Sequence, residues 1–168
     1  ALCNRIDRNT GGIVIAAKTA EALRVMNQKI KDRELDKRYL AIVEGTPKPR
    51  EGSLKGYLFK DEKKNRVFVT DKMQPGAKSC QTNYKVLTSA NGLSLVECEL
   101  ITGRTHQLRV HCAHMGYPIL GDPQYGSEDS QALSAGLGLS SQLLCAKSLA
   151  FPHPITGAQM DLRSQLDV

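Results

Sequence analysis

Apolar positions along the chain recur with two periods, and these outline the elements. GIVIAAK, Gly12 to Lys18, is a short continuous apolar run of the kind that forms a buried strand. Thr19 follows as a helix cap, and Leu23, Met26 and Ile30 then fall on one helical face. Asp36 to Glu44 returns to strand character and stops at Gly45-Thr46-Pro47. Gly52 to Leu58 and Arg66 to Thr70 read as two further strands around the charged turn Lys60 to Asn65. Lys78 to Thr88 and Leu93 to Ile101 flank Asn91-Gly92, a hairpin signal because both residues tolerate positive φ.

A second helix is predicted to open at Thr102-Gly103-Arg104-Thr105 and run to Met115, with Gly116 as its stop. Ser127 to Ser141, rich in Ser, Gly, Ala and Leu, reads as a surface excursion that is partly helical at best. Leu143 to Phe151 and Ala158 to Leu162 form a last strand pair around Pro154-Ile155-Thr156-Gly157, with His153-Pro154 in the turn. Hairpin-linked strands with two helices and no internal repeat predict an α+β domain with a mainly antiparallel sheet.

Composition narrows the classes. A chain of 168 residues with 40% hydrophobic and 24% charged residues is ordinary globular material for one domain. No stretch approaches the roughly 20 apolar residues of a membrane span, so no membrane partner is expected. No signal peptide is read in the chain, which begins at Ala1. Cys3, Cys80, Cys98, Cys112 and Cys145 are odd in number and lack a C-x-x-C spacing. They read as free, buried thiols of a protein of the reducing cytoplasm, and exclude a disulfide framework. A net charge of +6 and a pI near 9.1 favour a polyanionic partner. With three Phe, five Tyr and no Trp, broad aromatic stacking of single strands is not the mode of binding.

Three polar clusters remain. Asn4-Arg5-Ile6-Asp7-Arg8 sets a carboxylate between arginines; Lys37-Arg38-Tyr39 places a phenol near a strand start; Thr102 to His111 is dense with donors at a helix start suited to an anion. Singly each has a plain structural explanation. Asp7 fits a surface ion pair worth at most about 1 kcal/mol, Tyr39 a packing residue, Arg104 a helix-start residue. Gly11-Gly12 and Gly121 read as requirements of tight turns. A metal site on His106, His111 and His114 is not expected. His106 precedes His111 by five residues, about 140° round a helix, and no carboxylate stands at the spacing of H-E-x-x-H.

In order, these stretches resemble the RluA-type family of RNA pseudouridine synthases. That family carries an HRLD-type aspartate motif, a K-x-Y strand, G-R-T-H-Q-[IL]-R-x-H, and G-x-P-x-x-G-D-x-x-Y-G. Here they stand as NRIDRNTGG, Lys37-Arg38-Tyr39, Gly103 to His111, and Gly116 to Gly126. Weaker echoes are Gly76 to Leu87 with Thr82, and Leu144 to Gly157 with Cys145 at a position where the family has His. Asn4 also departs from a family His. The family's strands and N-K-P-x-G segment before the aspartate motif have no counterpart in this chain. Residues 1–168 are therefore expected to be a single catalytic domain, truncated at its N-terminus.

The resemblance implies an isomerase converting uridine to pseudouridine in structured RNA, large-subunit ribosomal RNA first and transfer RNA second, acting as a monomer without a cofactor. It implies Asp7 as the catalytic carboxylate, Arg104 as its ion-pair partner, and Tyr39 against the target base. Arg5 would fill the gap left by a flipped uridine, with Lys37 and Arg109 on phosphates. Two alternatives stay open: an Asp7-dependent nucleoside or base glycosidase, and an RNA-binding module of the same fold with weakened activity.

Overall fold

The computed structural model describes residues 1–166 of the chain. One sheet of eight strands organises it. Its strands are β1 (Gly11–Gly12), β2 (Asp36–Glu44), β3 (Glu51–Asp61), β4 (Arg66–Thr70), β5 (Lys78–Ala90), β6 (Leu93–Leu100), β7 (Leu144–Pro152) and β8 (Gln159–Arg163). They lie in the order β1-β7-β2-β6-β5-β3-β4, with β8 also on β7. These strands pair antiparallel throughout except in the short β1–β7 ladder, which is parallel. The α+β class with a mainly antiparallel sheet is the observed one.

Alternation explains the strands. On β2, Tyr39, Ala41 and Val43 are buried and meet Val96, Cys98 and Leu100 of β6 in the central core. Helix α2 (Gln107–Met115) covers that core with Leu108 and Cys112, while Val110 reaches a second cluster with Leu58, Val67, Cys80 and Tyr125. Helix α1 (Ala20–Lys31), capped by the Thr19 hydroxyl at 3.1 Å from Ala22 N, packs Met26 and Ile30 on Leu149 and Phe151.

Three expectations are corrected. Gly12 to Lys18 is not a strand: β1 ends at Gly12, where φ is +120° and a Cβ would collide with the Ala146 carbonyl oxygen, so no side chain is admitted. Beyond it, Ile13 and Ile15 insert into the α1 cluster, Val14 is 41% exposed, and pairing is limited to an isolated antiparallel bridge between Ala16 and Leu2. Second, α2 starts at Gln107, not Thr102. Gln107 accepts from Thr102 Oγ1 at 2.7 Å and Arg104 N at 3.1 Å, folding residues 102–106 into a loop ahead of the helix. Third, Ser127 to Ser141 contains a helix of its own, α3 (Glu128–Gly136), making three helices among the described residues. Its signal is hidden in the sequence because α3 docks with small polar groups. Buried Ser134 accepts from Gly121 N at 2.8 Å and donates to Ser130 O at 2.7 Å, where an apolar stripe would ordinarily be sought. Four of the five cysteines are buried and none is in a disulfide among the described residues; Cys3 is partly exposed.

Candidate functional site

A cavity of about 560 Å³ opens where the Asp7 loop, the start of β2 and the loop before α2 converge. That volume is within the range of small-ligand sites. Asp7, Tyr39, Arg104, Arg5, Lys37 and His106 all line it.

The Asp7 loop is fixed from several sides. Asn4 replaces a backbone rung: its Oδ1 accepts from Ile15 N at 2.7 Å and its Nδ2 donates to Ile13 O at 3.4 Å. Cys3 N adds a bond to Ile15 O at 2.8 Å. A turn forms as Thr10 N donates to Asp7 O, with Asn9 at φ 67°. Gln142 Nε2 then donates to both Arg8 O and Thr10 Oγ1, tying the turn to the segment entering β7. An Asn at position 4 thus closes this loop with its own amide.

Arg5 and Arg8 make no ion pair with Asp7 among the described residues; both are exposed. Arg5 instead donates to Thr105 Oγ1 at 3.0 Å, bridging the two loops at the rim. The cation next to Asp7 among the described residues is Arg109, with Nη1 4.0 Å from Asp7 Oδ2. Arg104, expected in that role, lines the cavity but turns its Nε to Ser79 O at 2.8 Å. Arg109 in turn is not a phosphate ligand on the surface. It is 6% exposed and holds Asp122 by a two-pronged pair of 3.0 and 2.9 Å. Burial opposes the Arg109 charge, but the hydrogen bond and charge of Asp122 outweigh it and raise its pKa. For Asp122 burial is likewise outweighed, by Arg109 and by the Gln124 and Tyr125 amides, and its carboxyl titrates below the usual range.

Tyr125, which no sequence expectation singles out, completes this framework. Arg66 and Arg109 lie over its ring, 4.9 and 5.0 Å from the centroid. Its hydroxyl accepts from Val67 N at 3.0 Å and meets His106 Nδ1 at 2.6 Å. Its place in the G-D-x-x-Y-G stretch is the one signal in the sequence that points to it. The same stretch is the only pointer to Asp122.

Tyr39 is 8% exposed, and its phenol is pushed up to about 12, by burial first and by the charge of Asp7 second. It is a neutral ring at physiological pH. Lys37 stands half-buried beside Gly103, where an added Cβ would come within 3.0 Å of its Nζ. Burial lowers its pKa, and no carboxylate among the described residues pairs with it. Such an ammonium lacks the hydration it would have at the surface and gains from an incoming anion.

The sheet, the cavity and its lining define an α+β domain built to present one carboxylate beside a flat ring, under a rim of cations. A family profile described as RNA pseudouridylate synthase matches residues 1–114, and the chain belongs to that family. It is 36% identical to ribosomal large subunit pseudouridine synthase D of Zymomonas mobilis subsp. mobilis, over 98% of this chain and 52% of that protein. It is also 36% identical to ribosomal large subunit pseudouridine synthase C of Escherichia coli (strain K12), over 99% of this chain and 52% of that protein. The chain thus spans about half the length of the curated relatives it matches. Among solved structures, human RNA pseudouridylate synthase domain containing 4 superposes with a TM-score of 0.80 at 26% identity, covering 98% of this chain and 70% of that one.

Proposed function

We propose that the protein isomerises uridine to pseudouridine in structured RNA, with Asp7 as the reacting carboxylate. The reaction breaks the C1′–N1 glycosidic bond, turns the uracil and rejoins it through C5. Substrate and product are isomers, so nothing is oxidised or hydrolysed and the chemistry requires no cofactor. The observation that carries the reading is the shared cavity of Asp7 and Tyr39, with buried Arg109 at 4.0 Å holding a positive charge by the carboxylate.

Each residue then has a task. Asp7 engages the substrate at the carbon that becomes electrophilic, as carboxylates do in glycosyl transfer. The Tyr39 ring receives the flipped base. Arg5, exposed at the rim, occupies the space the uridine vacates, which otherwise costs a few kcal/mol of stacking. Lys37 and Arg104 take phosphate oxygens, and Arg109 orients Asp7 from behind. The substrate is ribosomal RNA of the large subunit, the class named for both bacterial relatives, with transfer RNA as the second candidate. The protein works as a monomer in the cytoplasm.

Nucleoside analysis after incubation of the intact protein with uracil-labelled ribosomal RNA tests this. The label is expected in pseudouridine, with none in free base. Label released as uracil would mark a glycosidase, and label left in uridine a binding module.

A further inference from the structure

His106 stands in a backbone state that few residues adopt, and its ring is held by an unusual partner. It is the residue before α2, at φ 55° and ψ 19°, and its side chain makes no capping bond to the helix. Instead Nδ1 lies 2.6 Å from the Tyr125 hydroxyl, whose oxygen already accepts from Val67 N at 3.0 Å.

This chain of bonds favours one placement of the protons. A backbone N–H can only donate, so one lone pair of the phenol oxygen is taken. Among the described residues His106 Nδ1 is the one acceptor within reach of the Tyr125 hydroxyl proton, and the arrangement that satisfies that proton leaves Nδ1 bare. The imidazole proton therefore sits on Nε2. Burial, the largest influence, lowers the pKa of His106, so the ring stays neutral with that tautomer.

Nε2–H has no partner within the described residues; in particular it makes no hydrogen bond to Asp7. Every fully buried side-chain nitrogen and oxygen among those residues does have a partner. The Nε2 atom is therefore reached by solvent, and the space against His106 is the cavity it shares with Asp7 and Tyr39. An uncharged imidazole thus borders the cavity that Asp7 and Tyr39 line.

We propose that His106 is a further catalytic residue, donating its Nε2 hydrogen bond to a carbonyl oxygen of the target uracil. This rests on the isomerase reading above. A neutral donor suits a carbonyl better than a phosphate, and the rim supplies Lys37 and Arg104 for phosphates. When the C1′–N1 bond breaks, its electron pair leaves on the uracil ring and spreads onto O2 and O4. His106 stabilises that charge without giving up its proton. Once C5 has bonded to C1′ the ring is neutral again and the bond weakens; the C5 proton, the one the assay labels, then leaves to solvent while N1 takes one up. Tyr125 acts as the positioning residue that holds the tautomer.

The test is single-turnover release of tritium from 5-[³H]uridine in the target RNA, using the intact protein. His106→Asn keeps a residue that tolerates positive φ but has no donor at the Nε2 position; His106→Gln places an amide N–H there. Release is expected to slow about 10²-fold in His106→Asn, as on loss of one donor at a developing oxyanion, with RNA affinity retained and most of the rate recovered in His106→Gln. Target uridines carrying sulfur at C2 or C4 accept hydrogen bonds poorly. One of the two is expected to slow the wild type and leave His106→Asn no slower than on uridine. A His106→Asn enzyme at wild-type speed, or equal thio effects in both proteins, would overturn the proposal. Nitrogen-15 NMR of the wild type decides it without any variant: a protonated Nε2 that shifts on RNA binding is expected, and a protonated Nδ1 overturns it. Wild-type protein that releases no tritium would instead remove the isomerase reading itself.

Discussion

Two arginines five positions apart have different surroundings, and residue-scale physics separates them. Arg109 is buried and holds Asp122 through its Nε and Nη2, while Arg104 is partly exposed with its Nε on a backbone carbonyl. Removing one member of a buried pair strands the other, at a cost of about 3–5 kcal/mol. Arg109→Met is therefore expected to lower stability to urea by about that much. Arg104→Met is expected to shift it by less than about 1 kcal/mol while weakening RNA binding. Equal stabilities for the two variants would contradict these placements. Tyr39 allows a similar contrast. Its hydroxyl makes no hydrogen bond among the described residues, whereas its ring sits in the central core. Tyr39→Phe is expected to change stability by less than about 0.5 kcal/mol, and Tyr39→Ala to cost about 3–5 kcal/mol. A large loss in Tyr39→Phe, measured by urea denaturation, would mean that the hydroxyl is bound in the fold.

At the scale of elements, α2 is pinned to β5 by polar side chains as well as by its apolar face. Thr82 Oγ1 accepts from Gln107 Nε2 at 2.9 Å and shares a hydrogen bond with His111 Nδ1 at 2.8 Å. His111 Nε2 meets Cys80 Sγ at 3.2 Å. Burial pushes His111 down to about 4, with the charge of His114 adding to the effect. An unfolded histidine binds its proton near pH 6.5. Between those values the unfolded chain holds more protons than the native one, so stability rises with pH across the window. Going from pH 6.5 to pH 4, the protein is expected to lose about 3 kcal/mol through this one residue. His111→Gln should be less stable at pH 7 but flatter across the window in melting temperature; an unchanged slope would contradict the placement.

The same elements mark what the chain discloses by itself. Period-two alternation on β2, β5 and β6 is legible because one face of each strand is buried and the other is wet. The Asn91-Gly92 turn is legible because its positive φ demands those residue types. β1 is not, since Gly12 to Lys18 is equally apolar whether it pairs in a sheet or packs on a helix. The 102–106 loop is not, because it is made by one glutamine reaching backward, which no periodicity records.

On the scale of the whole molecule, Asp7, Tyr39 and the loop before α2 come from three segments that only the sheet order brings together. β2 runs between β7, whose entry anchors the Asp7 turn through Gln142 and Gly12, and β6, which leads into the loop holding Arg104. The gathering of Asp7, Tyr39, Arg104, Arg5 and Lys37 is legible from motif order alone. The identity of the cation beside Asp7 is not. Arg104 and Arg109 are indistinguishable in sequence until the Gly121–Gly126 turn delivers Asp122 to one of them. The surplus of six positive charges acts at the same scale, and under the proposed function it draws RNA to the surface whether or not the carboxylate reacts. Binding and chemistry are thus separable by one isosteric change. The most direct measurement is tritium release from 5-[³H]uridine-labelled ribosomal RNA by the intact protein and its Asp7→Asn variant. Release by the wild type, with none above background for Asp7→Asn and RNA affinity unchanged, is the predicted result. An Asp7→Asn protein that releases tritium at the wild-type rate would contradict the assignment of Asp7.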